Sequence, residues 1–431
     1  MLSTMSHDIL KIALPSIVTN VTIPLLGLLD VGIAGHLGDA SFIAAVSVGA
    51  MMFNLIYWNF GFLRMGTSGM TAQAYGRGNR HEAATLLSRS CLLALAIGLA
   101  IVLLQYPLQR LALWVIGPSR GVTRLALIYF YIGVWGAPAT LMMMSIKGWF
   151  LGMQDSRSPM LISVGVNVVN IVASLLAVYV LDMGFAGIAV GTVTAQWLGL
   201  VASLGLLALR QPWLRGELAR VKSLNFSGSS RFFKVNGDIF VRSFLLMIVN
   251  LAFVAIGARS GDLTLAVNAL IMQLFTLFSY FMDGIAFAGE ALAGKLEGRG
   301  DSKGLRRCIG LLFKWGLLIT MIYTALYVVF PRGIFEMLSS DRNVVEQAMR
   351  FRWWSVAIPI TGMAAFIWDG VFIGLTRTRH MALAVLVAVL TFFAIHAATV
   401  SWLAEHALWL AFVSYLAVRG LVQTWQYLAH E

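Results

Sequence analysis

Charge is scarce in this chain. Only 12% of its 431 residues are Asp, Glu, Lys or Arg, 59% are hydrophobic, and the mean hydropathy is +0.83. So little charge cannot clothe a water-facing surface, which excludes a soluble globular domain and leaves an integral membrane protein. Cysteine is almost missing. Cys91 and Cys308 are the two present, and both fall at or within apolar runs where a disulfide framework is not expected. Hydrolytic motifs are missing as well. His81-Glu82 lacks the second His of HExxH, and the chain has no GxSxG, P-loop or Cys/His cluster. Neither zinc proteolysis nor ATP hydrolysis has residues to support it, so no enzyme and no cofactor is expected. The opening MLSTMSHDILK lacks a cleavable signal, and the first helix is expected to remain.

What the chain has instead is long apolar runs. A hydrocarbon core of roughly 30 Å takes about 20 helical residues. Twelve spans are predicted, over 9–34, 42–70, 88–116, 125–151, 158–181, 185–209, 232–257, 263–294, 305–331, 350–376, 380–403 and 406–429. Two of the runs repeat a pattern. A Gly-Asp start, an apolar stretch and a Gly-Arg-Gly end occur at Gly38, Asp39 and Gly76–Gly78, and again at Gly261, Asp262 and Gly298–Gly300. APATLMMMSIKGWFLGMQDSR from Ala137 is likewise echoed by IPITGMAAFIWDGVFIGLTRTR from Ile358. The chain therefore reads as a duplicated membrane unit, an architecture found chiefly in transporters. The expected fold is all-α, with about 12 transmembrane helices in two parallel six-helix repeats. The N-lobe is placed at 1–209, a polar linker at 210–234 and the C-lobe at 235–431. Six spans per half is an even number, so the halves run parallel and are expected to leave a cleft at mid-membrane.

The formal net charge of +12 does not point to nucleic acid, because Lys and Arg are distributed as a topology signal. Basic residues concentrate in the loops on the side of the termini, including Arg77, Arg80, the 210–234 linker, Lys295 to Arg307, Arg377 and Arg379. That bias puts both termini in the cytoplasm.

A carboxylate in hydrocarbon costs at least about 2.5–3.5 kcal/mol, so acids inside spans are informative. Asp30 lies in span one, downstream of Pro15 and Pro24, each of which removes a backbone hydrogen bond and permits a bend. It reads either as a functional carboxyl that exchanges a proton or a sodium ion, or as a helix-end acid snorkelling to the interface. In span five Asn170 and Ser174 share a face with Asn167 nearby, and span six supplies Thr192 and Thr194. These side chains can act as cation ligands or as interhelical glue. In the second half Asp238 and Arg242 have the spacing of a helical ion pair. Asp283 and Glu290 share a face of span eight, and Asp369 sits in span ten. Arg64 and Lys147 are the basic counterparts in the first half. Asp283 and Asp369, with no partner nearby in sequence, are expected to face the lumen, with Met143, Tyr57 and Phe275 as candidates for an adaptable apolar cleft.

The motifs IALPSIVTN, PLLGLLDVGIAGHLG, FLRMGTSGMTAQAYG, FMDGIAFAGEALAGK and WDGVFIGLTRTRHM together resemble the multidrug and toxic compound extrusion (MATE) transporters, in the branch of the DNA-damage-inducible protein F. The resemblance covers nearly the whole chain. It implies a cation-coupled efflux antiporter for lipophilic or cationic compounds, a monomer in the bacterial inner membrane. Asp30 would be the coupling carboxyl, with Asn170 and Thr192 as its partners and Pro15 as the bending point. Ser174 stands where some relatives carry a second Asp, which favours protons over sodium. The resemblance also leaves a lipid-linked precursor flippase as an alternative, and a non-transporting receptor or scaffold is a third reading.

Overall fold

The protein is a computed structural model describing residues 2–37, 39–221 and 229–429; Gly38 and the middle of the predicted linker, 222–228, lie outside the described residues. The described residues are helical almost throughout. In the first half α1 (Leu2–Gly35), α2 (Ala40–Tyr57), α3 (Phe62–Gly76) and α4 (Arg80–Leu103) are followed by α5 (Gln105–Ile116), α6 (Arg120–Gly133) and α7 (Ala137–Gly152). Then come α8 (Arg157–Leu175), α9 (Phe185–Arg210) and the short α10 (Trp213–Arg220). The second half holds α11 (Ser230–Arg259), α12 (Asp262–Arg299), α13 (Ser302–Val329), α14 (Pro331–Leu338), α15 (Arg342–Gly374), α16 (Thr378–Leu403) and α17 (Glu405–Leu428). Among the described residues 12 helical stretches are long and apolar enough to cross a membrane. The all-α membrane fold expected from sequence is the one observed.

The third predicted span is corrected. Its helix begins eight residues earlier than 88 and stops at Leu103, and 105–116 forms the separate α5. Pro107 accounts for the break, because its ring clashes with the carbonyl four residues back and it cannot donate to the helix. It is tolerated in the first turn of α5, where amide donors have no helical acceptor in any case. Pro331 does the same in the second half, opening α14 after α13 has ended at Val329. The polar linker also carries more structure than its composition suggests. Its first part is α10, whose Trp213 lies 6.2 Å from the Trp149 ring and under the Arg80 guanidinium.

The chain forms two compact units, Val18–Asn236 and Met1–Ile17 with Gly237–Glu431. The boundary falls inside α1, after Ile17. The start of α1 packs within the second unit: Trp315 Nε1 donates to Ser6 Oγ at 2.9 Å, and a Cβ at Gly284 would lie 3.0 Å from the Ala13 carbonyl.

Close helix packing repeats between the units residue for residue. In the first, α7 lies on α3 so tightly that a Cβ at Gly148 would strike the Arg64 carbonyl, and one at Gly152 would lie 2.6 Å from the Ser68 carbonyl. In the second, α15 meets α12 the same way: Gly370 against the Ala286 carbonyl and Gly374 at 2.6 Å from that of Glu290. Each of these four positions in the second unit is 222 residues after its counterpart. Small residues that let backbones meet are the usual means of joining helices in lipid, where apolar burial gives no preference for protein over acyl chain. The loops repeat at the same offset. Gln154 and Thr376 both take positive φ, 66° and 54°, just past the ends of α7 and α15. Gly78 and Gly300 close α3 and α12 with φ of 72° and 70°. Asn79 and Asp301 then cap the next helices by accepting from the amides of Glu82 and Gly304.

Candidate functional site

Asp30 is 3% exposed near the end of α1 and is the centre of a polar cluster in the first unit. Tyr129 of α6 donates its hydroxyl to Oδ2 at 3.1 Å, and Thr192 of α9 lies 3.2 Å from the same oxygen. Asn170 of α8 in turn donates to the Thr192 hydroxyl at 2.9 Å. The Thr192 oxygen is also 3.0 Å from the Ile188 carbonyl one turn earlier. Its single proton serves one acceptor at a time, so Thr192 can turn between the carboxyl and its own backbone. Ser174 approaches the same Ile188 carbonyl at 3.4 Å. The four residues singled out from sequence, Asp30, Asn170, Ser174 and Thr192, are thus drawn together by α1, α8 and α9.

Local sequence explains how three helices come so near. Gly191 leaves no room for a Cβ beside Ser174, which brings α8 onto α9. Gly49 of α2 does the same for the Tyr129 ring. Just past Ser174 the end of α8 widens into a π turn over Leu176–Val180, closed by Leu181 N–H to the Leu176 carbonyl at 2.9 Å. Such widened turns recur at functional sites. Asn167 does not join the cluster directly. It donates to the Thr22 carbonyl of α1 at 2.8 Å, two residues before Pro24, and so ties α8 to the stretch of α1 that leads to Asp30. α1 itself is helical through both Pro15 and Pro24.

The electrostatics are one-sided. Every side chain that hydrogen-bonds Asp30 is neutral, and among the described residues no Lys, Arg or His pairs with it. Two oxygens in the cluster, Asp30 Oδ1 and Asn170 Oδ1, are buried with no hydrogen-bond partner. A buried carboxylate with one oxygen unsatisfied and no countercharge is stable only if it takes up a proton or a small cation. Three or more Asp, Glu, His or Cys side chains gathered as a metal site do not occur among the described residues. Asp30 Oδ1 and Asn170 Oδ1 would be the oxygen donors to any sodium ion bound here.

The second unit treats its buried acid differently. Asp369 of α15, which has no partner nearby in sequence, accepts from Arg242 of α11 and from both Arg419 and Gln423 of α17, the last at 2.6 Å. Asp369, Arg242 and Arg419 are 5%, 7% and 4% exposed. Arg242 thus reaches across to Asp369 as well as lying one turn from Asp238, and Asp238 accepts from Thr378 at 2.9 Å. Arg419 and Gln423 escaped the sequence reading, although a charged residue in the last span followed four later by Gln was a visible signal. Tyr129 escaped it too, and a lone tyrosine gave no signal.

The remaining candidates disperse. Met143, expected to line a cleft, is 5% exposed in the core of the first unit beside Trp149 and Ile146, with Gly199 making room for its sulfur. Tyr57 extends the aromatic wall behind the Asp30 cluster, its ring 5.6 Å from Phe53, which in turn lies 6.2 Å from Tyr129. Phe275 packs against Phe366 and Phe412 in the second unit. Asp283 is partly exposed on α12, while Glu290 is 1% exposed on the same helix at the Gly374 contact. Arg64 lies on α3 where Gly148 packs, and Lys147 donates to Ser163 at 2.9 Å.

The sequence profile described as MatE matches residues 15–176 and 239–413, one stretch in each half. DNA damage-inducible protein F of Escherichia coli is 37% identical over 95% of this chain and 89% of its own length. A probable multidrug resistance protein NorM of Synechococcus is 24% identical over 85% of this chain and 79% of its own. The crystal structure of the Vibrio cholerae MATE transporter VcmN in the bent form superposes with a TM-score of 0.86, covering 99% of this chain and 97% of that one at 16% identity.

Proposed function

Because the chain belongs to the MatE family, whose members are membrane transporters and not enzymes, we propose that it is a proton-coupled efflux antiporter for lipophilic, often cationic, compounds. The observation that carries this reading is the buried Asp30 carboxyl with neutral donors on Oδ2 and nothing on Oδ1. One carboxyl and neutral hydroxyl or amide groups are enough to carry a proton. A tight sodium site prefers several hard oxygens and more than one formal charge, and here Ser174 supplies only a hydroxyl. Asp369 in the second unit already holds two guanidinium groups, whereas Asp30 has none among the described residues, which favours Asp30 as the coupling group.

The cycle is alternating access, with the two units as its moving bodies. Protonation shifts the equilibrium only if the proton interacts differently with the two arrangements. The Thr192 hydroxyl, able to face Asp30 or Ile188, supplies such a difference at the site. For cargo without net charge, one proton crossing ~150 mV releases roughly 3.5 kcal/mol, enough to hold a gradient of about 300-fold. The same reading places a monomer in the bacterial inner membrane with both termini in the cytoplasm, as the basic loops indicate. The multidrug resistance named in the NorM relative supports cargo of this class.

Asp30→Asn tests the reading. It keeps the volume and hydrogen bonding of the side chain and removes its titration. Efflux of a cationic dye from proteoliposomes against its gradient is expected to vanish while the variant elutes as the parent does. Uphill export at the parental rate by that variant refutes the coupling role.

A further inference from the structure

The first unit carries a second feature that the coupling site does not use. A groove of about 330 Å³ lies between α4, α9 and α10, within the range of ~300–1,000 Å³ that ligand sites occupy. Its walls are mostly apolar, with Ser88 and Gln211 as the neutral polar exceptions. Leu87, Cys91 and Leu95 come from successive turns of α4, and Leu214 and Leu218 from one face of α10. The groove is at the polar end of the spans, since α4 starts at Arg80 and α9 ends at Arg210. Leu204 and Leu218 on its rim are 46% and 38% exposed.

The lining carries charge of one sign. Arg215 lines the groove, and no acidic residue does. The neighbouring guanidiniums are engaged: Arg210 with Asp155, Arg220 with Glu217 and Arg77 with Glu82. Arg215 makes no ion pair or hydrogen bond among the described residues. We infer that the groove binds the acyl chain of an anionic phospholipid, with the headgroup phosphate held by Arg215. A mostly apolar channel at headgroup level lined by an unengaged guanidinium fits both parts of such a lipid, whereas a lipophilic cation would meet a like charge.

The test counts lipid retained by the purified transporter in native mass spectrometry after exchange into dioleoyl phosphatidylglycerol or dioleoyl phosphatidylcholine. The intact protein is expected to retain one phosphatidylglycerol in preference to phosphatidylcholine. Arg215→Gln, on an exposed side chain, should cut that preference about fivefold. Ala208→Phe should reduce retention of both lipids by filling the groove from α9. Soluble glycerol phosphate in excess should not displace the lipid, because it lacks the chain. Equal retention of the two lipids by the parent, an unchanged preference in Arg215→Gln, or displacement by glycerol phosphate overturns the inference.

Discussion

Two buried aspartates show how one side-chain type serves different ends. Asp30 meets hydroxyls and leaves an oxygen unsatisfied, whereas Asp369 sits between Arg242 and Arg419 with Gln423 on its second oxygen. Removing the charge should therefore have opposite consequences. Asp369→Asn leaves two guanidiniums buried without their carboxylate, a change that costs about 3–5 kcal/mol. It should lower the detergent melting temperature sharply while the folded fraction still transports. An Asp369→Asn variant as stable as the parent would show the trio to be dispensable. Tyr129→Phe deletes one of the two hydroxyl donors to Asp30, worth about 1.5–3 kcal/mol to the charged form. Turnover at a fixed pH gradient should fall roughly tenfold with the melting temperature little changed, and an unaltered rate would remove Tyr129 from the mechanism. Asp30 was readable from sequence because a charge in an apolar run is conspicuous, whereas Asn170 and Thr192, which read equally well as interhelical glue, were tied to it by the family resemblance. Asp369's partners were not readable, since Arg242 has a nearer acid one turn away in Asp238, and neither Arg419 nor Gln423 on the last helix belongs to a motif that marks it as a partner.

At the scale of the helix, sequence and structure agree wherever an apolar run ends at a charged or polar loop, and disagree where proline cuts the run. Pro107 splits what composition alone reads as one span, and α10 takes shape inside a stretch that looks like a bare linker. The division of α1 between units has no signature in sequence either, because it rests on contacts of Ser6 and Ala13 with α13 and α12. The duplication was legible from the Gly-Asp and Gly-Arg-Gly marks, and its cause is steric: Gly148 and Gly370 let paired helices touch backbone to backbone. Gly148→Val and Gly370→Val should each destabilise their unit by overpacking, on the order of 1–3 kcal/mol. Because the contact is repeated, the two losses should be similar in thermal unfolding. A marked loss from one and none from the other would mean that the repeated geometry has lost its repeated role.

The whole molecule is a duplicated transporter in which the two halves share a packing plan and differ in charge. The first unit holds a buried carboxyl within a neutral shell, the group that the proposed function makes the proton carrier. The second holds a fixed cluster in which the carboxylate is already compensated. Under the proposed function, coupling through Asp30 alone would limit exchange to one proton per cycle. A one-for-one exchange of a proton for a monovalent cation moves no net charge and runs on the pH difference alone. The direct test is cargo flux in proteoliposomes with pH and sodium gradients imposed separately at zero membrane potential. An inward proton gradient without sodium should drive export of a monovalent cationic dye, and a sodium gradient at equal pH should not. Export that requires sodium and ignores the pH gradient would contradict the account.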